Sequence, residues 1–158
     1  MSHKLDSTIK QSNPKDAIGV LKAPTSTIPM TMILALGVAM LEGSVKYSRH
    51  NYREVGVRAS VYFDALQRHM MAWWEGEDVD PDSMLSHIIK GIATLTVLYD
   101  AIVQDKWVDD RPPKGAQGKI GDHLKYLADV VAVINQKYPN AKMPYTELDV
   151  YNLKEKLK

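Results

Sequence analysis

Apolar residues recur at helical spacing in four stretches of the chain, and none alternates with the period of two that a half-buried strand requires. The first stretch opens at Pro29, whose fixed φ suits a first helical turn, and runs to about Tyr47. It is apolar almost all round, which predicts a helix central in the core or at a subunit interface. Its run "PMTMILALGVAML", Pro29 to Leu41, is too short to cross a bilayer and reads as a buried helix. The second helix is predicted over roughly Ala59 to Trp74, with Leu66, Met70 and Trp73 on one face and Gly76 ending it. A third, about Ser83 to Gln104, carries Leu85, Ile88, Ile89, Ile92, Thr96, Tyr99 and Val103, with Asp82 or Ser83 suited to cap it after Pro81. A fourth, about Asp122 to Lys137, shows Leu124, Leu127, Ala128, Val131 and Ile134 before Pro139. Thr146 and Asp149 have capping-box spacing for a short last helix. Residues 1–27, "SRHNYREVGVR" and "DKWVDDRPPKGAQGKIG" read as irregular. The expectation is an all-α, single-domain bundle of four to five helices. An irregular arm (1–27) precedes it and C-terminal helices (120–158) complete it. The excess apolar surface on the third helix points to packing between copies or to more extensive internal packing, which would look the same.

Composition narrows the function classes. The 158 residues carry a formal net charge of +1, against the basic excess expected of a nucleic-acid-coating or membrane-surface protein. With no cysteine, disulfides, thiolate catalysis and Cys-based zinc sites drop out. The polar N-terminus lacks the apolar centre of a signal peptide, so the expected location is the cytoplasm, with no membrane partner and no DNA or RNA.

Charge is concentrated in one place. "WWEGEDVDPDSMLSH" sets Glu75, Glu77, Asp78, Asp80 and Asp82 between two predicted helices. As a calcium loop it fails, because Ser83 stands at the glycine position and Ile89 at the final glutamate. A solvated, helix-capping turn and a magnesium site remain open. In the second reading, Glu77 and Asp80 form an E-x-x-D unit. Asp64 lies about three turns back on the preceding helix, so it reaches the same ion only through a bend or a third element. His69 and His87 bracket the turn as structural groups or ligands. Arg68 has the alternative of an i, i+4 pair with Asp64. Lys15, Lys46, Arg68 and Arg111 are candidate holders of a polyanion, and each is also an ordinary surface cation.

The ordered series "NPKDAIG", "EGSVKYSRHNYR", "YFDALQRHMMAWWEGEDVDPDSMLSH" and "DDRP" resembles a phage-encoded family of dATP/dGTP diphosphohydrolases, related in theme to MazG-like and MazZ-like nucleotide pyrophosphohydrolases. The resemblance covers about residues 12–113. It is carried by Gly43, Lys46, Tyr47 and Asn51, then Asp64, Ala65, Arg68 and His69. Gly76, Glu77, Asp78, Asp80, Ser83 and His87 follow, and Asp109 to Pro112 close the series. Tyr52, Asp82 and Met84 stand where the family pattern has Trp, Glu and Gly.

The resemblance implies hydrolysis of a deoxypurine triphosphate, dATP or dGTP, to the monophosphate and pyrophosphate with Mg²⁺ or Mn²⁺. It implies metal binding by Asp64, Glu77, Asp80 and Asp82, and catalytic roles for Glu77, Asp80, His69 and His87. Substrate contacts would fall to Lys15, Lys46, Tyr47, Asn51 and Arg68. A purine nucleotide and further copies of the chain are the implied partners. Only Glu77-x-x-Asp80 matches the MazG carboxylate pattern, so a non-catalytic, nucleotide-sequestering protein is the alternative.

Overall fold

The computed structural model describes residues 14–19, 22–115 and 119–149. Among the described residues the fold is all-α apart from one two-stranded ladder. The chain divides into two compact units, Met1–Arg111 and Pro112–Lys158.

In the first unit, α1 (Pro14–Gly19) and a single 3₁₀ turn (Thr25–Thr27) precede α2 (Met30–Tyr47). The short α3 (Asn51–Val55) leads into β1 (Val57–Arg58), then α4 (Ala59–Trp74), α5 (His87–Val103) and β2 (Trp107–Val108). Helices α4 and α5 make the main packing pair, and α2 lies on α5. The α4–α5 contact is close because Gly91 has no side chain. A Cβ there would stand 3.0 Å from Met70 Cε and 3.2 Å from Leu66 Cδ1.

The segment expected to be a plain loop before α4 contains α3, and the arm expected to be irregular contains α1. The ladder is parallel, Val57 opposite Trp107 and Arg58 opposite Val108. Gly56 permits it. Its φ is 78°, and a Cβ would press on Lys106 O at 3.3 Å, the same oxygen that accepts the Val57 N–H. Tyr52, Val57 and Ala101 are buried beside the ladder, with Met40, Tyr62, Val97, Leu98 and Trp107 packed around them.

The "DDRP" segment closes this unit. Asp110 accepts bonds from the Ser60 backbone N–H (2.8 Å) and hydroxyl, satisfying donors in the first turn of α4. Arg111 lies over the Trp107 ring and pairs with Asp109.

Among the described residues, α2 buries only Ala39, so it is not central in the core. Leu34, Val38, Leu41 and Val45 form an exposed apolar stripe along it. The helix is longer than the apolar run suggested. Its 18 residues, of mean hydropathy 1.3, meet the length and composition of a membrane span. Glu42 and Lys46, however, bind Lys90 of α5 and Asp82, which ties α2 into the helical packing.

In the second unit, α6 (Lys119–Lys137) carries the expected stripe of Leu124, Leu127, Val131 and Ile134. Asp149 accepts the Thr146 N–H at 2.7 Å, the backbone half of the capping box. Residues 150–158 of the last predicted helix lie outside the described residues.

Candidate active site

The acidic turn between α4 and α5 is a folded loop with Asp80 at its centre. Asp80 Oδ1 accepts the Asp82 N–H at 2.9 Å and the Ser83 N–H at 3.4 Å, while its own N–H bonds Leu85 O at 2.9 Å. Val79 bridges Ser86, and the His87 N–H reaches Asp78 O at 3.1 Å. Met84 takes φ 58°, the left-handed region that favours glycine. The loop therefore consumes the residues expected to open the third helix. α5 starts at His87, with Ser86 as its N-cap, and neither Asp82 nor Ser83 caps it.

This loop brings two histidines together. His69 Nδ1 on α4 lies 2.9 Å from His87 Nδ1 at the start of α5. Ligand atoms of His69, Asp80 and His87 all fall within 4.8 Å of one another. His87 is buried, its Nε2 has no hydrogen-bond partner, and Glu77 Oε1 stands 3.7 Å from that atom. Burial, followed by the charges of His87 and Lys90, holds the His69 imidazole below its ordinary value. Its neutral form keeps a lone pair for a cation at neutral pH. For Asp80, burial opposes ionisation, but the Asp82 and Ser83 N–H groups and Lys90 outweigh it and hold the carboxyl below its usual value.

Beside this corner, a cleft of about 440 Å³ opens between α2, α3 and α5. Its walls include Lys46, Tyr47, Asn51, Tyr52, Tyr62 and Lys90. Glu42 ties the cations together, at 2.6 Å from both Lys46 Nζ and Lys90 Nζ. Burial alone would raise the Glu42 carboxyl, but its two lysine partners hold it below the ordinary range. Lys90 also lies 3.7 Å from Asp80, and Lys46 lies 3.2 Å from Asp82. The cleft and the histidine corner thus share one charge network.

A family model described as dATP/dGTP diphosphohydrolase, N-terminal, matches residues 12–111. The chain belongs to that family. The match ends where the first compact unit ends, at Arg111. No curated protein and no solved structure matches the chain. The family's name assigns it a diphosphohydrolase activity, a hydrolase acting on dATP or dGTP.

Of the residues carrying the family resemblance, His69, Glu77, Asp80 and His87 meet in the corner, while Lys46, Tyr47 and Asn51 line the cleft. Asp82 is mostly exposed and holds Lys46. Asp64 and Arg68 are exposed on α4, outside both the ligand group and the cleft walls, with no ion pair between them. Lys15 is exposed on α1. Sequence reasoning overlooked Glu42 and Lys90. The available signal was a single charge in each of two otherwise apolar stretches, "MILALGVAMLEG" and "HIIKGIATLTVL".

Proposed function

We propose that the first unit hydrolyses dATP or dGTP at the α-phosphorus, releasing the deoxynucleoside monophosphate and pyrophosphate. The observation that carries this reading is Lys90, which lines the nucleotide-sized cleft and also stands 3.7 Å from Asp80 of the histidine corner. A triphosphate in the cleft would exchange its oxygens for Glu42 as partners of Lys46 and Lys90. Tyr47 and Asn51 would meet the base or sugar. The two neutralising lysines favour in-line attack by water on the α-phosphorus, with the bond to the β-phosphate oxygen breaking and pyrophosphate leaving. Glu77, half-exposed and 3.7 Å from His87 Nε2, would steady that ring, and the attacking water's proton would pass to solvent. A divalent ion held at His69, Asp80 and His87 supplies charge neutralisation at the phosphates when bound. The two imidazole nitrogens and the carboxylate fit such an ion, because all three converge within 4.8 Å.

The test is pyrophosphate release from each dNTP by the full chain with Mg²⁺ or Mn²⁺. Release from the purine substrates, lost in Asp80→Asn, supports the reading. Tight nucleotide binding without release would make the protein a sequestering one. The exposed stripe of Leu34, Val38, Leu41 and Val45 further supports self-association through α2, which sedimentation of Leu41→Glu against wild type would check.

A further inference from the structure

We propose that His69, Asp80 and His87 select a later first-row transition-metal ion of the Co²⁺ or Zn²⁺ class over Mg²⁺, with Glu77 as the residue that orients His87. This deepens the hydrolase reading and rests on it for the ion's part in turnover. Ion binding itself is measured apart from turnover, so either can fail alone.

Three observations carry the inference. The first is the donor set, in which two of the three groups are imidazoles. Mg²⁺ and Mn²⁺ favour oxygen ligands, and Mg²⁺ retains several waters, whereas imidazole nitrogen suits the later first-row ions. The second is the spacing. Two nitrogens about 2.1 Å from one ion stand about 3.0 Å apart at an octahedral right angle and about 3.4 Å apart at a tetrahedral angle. The His69 and His87 Nδ1 atoms share a hydrogen bond at 2.9 Å, and the same spacing suits adjacent octahedral positions on one ion once that proton is displaced. The third is the far side of His87. With Nδ1 on the ion, its Nε2 must carry the proton, and Nε2 is the buried atom without a partner that faces Glu77 at 3.7 Å. A carboxylate behind a ligating histidine fixes the tautomer and the ring, which is the usual outer partner of such a ligand.

Charge points the same way. Asp80 is the only carboxylate in the group, and Lys90 lies 3.7 Å from it. A strongly hydrated Mg²⁺ draws its affinity from carboxylate ligands, of which the convergent group holds one. Nitrogen donation to a transition ion depends less on net charge.

The experiment strips the full chain with chelator and titrates it with Co²⁺, followed by visible absorption, and with Mn²⁺, Zn²⁺ and Mg²⁺ by calorimetry. One equivalent of Co²⁺ is expected to bind at least about tenfold more tightly than Mg²⁺. His69→Gln, on the less buried histidine, should lose most of that affinity with helix content unchanged. Glu77→Gln should weaken it about tenfold and alter the Co²⁺ spectrum, while Glu77→Asp recovers part of the loss. Equal or tighter Mg²⁺ binding, or undiminished Co²⁺ affinity in His69→Gln, overturns the proposal. Pyrophosphate release with Mg²⁺ alone, and no Co²⁺ binding, would overturn it while leaving the hydrolase reading intact. Co²⁺ binding without turnover of any dNTP would do the reverse.

Discussion

Met84 is an L-residue held at φ 58° in the loop that presents Asp80 and His87. Left-handed backbone costs a residue with a Cβ about 1–2 kcal/mol. Glycine removes that cost but adds about 0.5–1 kcal/mol of chain entropy. Met84 is 75% exposed, so truncation forfeits little burial. The clean comparison is Met84→Gly against Met84→Ala, because both discard the side chain and only alanine keeps the strain. The glycine variant should be the more stable of the two by about 0.5–1 kcal/mol. For a chain of this length that is about 1–4 °C in thermal midpoint. Thermal melts of both variants, followed by circular dichroism, read the difference. An alanine variant as stable as the glycine variant would refute the left-handed conformation, and with it the loop geometry that sets Asp80 against the histidines.

Gly91→Leu drives a side chain into the 3.0–3.2 Å gap beneath Met70 and Leu66, and should cost about 1–3 kcal/mol net. Gly91→Ala, which needs only small shifts of two flexible side-chain ends and improves helix propensity, should stay within about 1 kcal/mol of wild type; urea melts distinguish the two. Lys90→Met should raise KM for dATP or dGTP about tenfold or more, read from steady-state pyrophosphate release, by removing a cation shared between cleft and corner. Ser60 holds the Asp110 carboxyl below its ordinary value of 3.8. Its stabilising contribution is therefore complete above that pH and lost as pH falls through the lower folded value. Asp110→Asn should flatten this acid-side dependence in melts below pH 4, and an unchanged pH profile would contradict the cap.

The sequence made the long helices legible where local chemistry sets their ends. Helix α4 runs from Ala59 to Trp74 as its apolar face and Gly76 required, and α2 begins next to Pro29. The start of α5 was misread because Asp82 and Ser83 look like caps. Their N–H groups instead turn back on Asp80, and the Met84 conformation, which residue type alone disfavours, delays the helix to His87. Two-residue strands have no period to detect, and Val57 and Trp107 pair only because α4 and α5 fold back between them. The site shows the same limit. Counting carboxylates drew attention to Asp64 and Asp82, whereas the converging groups include two histidines 18 positions apart. Nothing local announces that pairing. It depends on Gly91 letting one helix approach the other.

The capping of α4 from Asp110 also bears on the order in which the chain is made. Ser60 leaves the ribosome fifty residues ahead of the carboxylate that satisfies its N–H. His69, Asp80 and His87 are all synthesised within that interval, before β2 can pair with β1. The nascent helix carrying His69 therefore waits for Trp107 to Asp110 before its first turn is secured. A ribosome stalled shortly before that segment emerges would display the histidines and acids of the corner on an unfinished unit, open to protease and to any ion in reach.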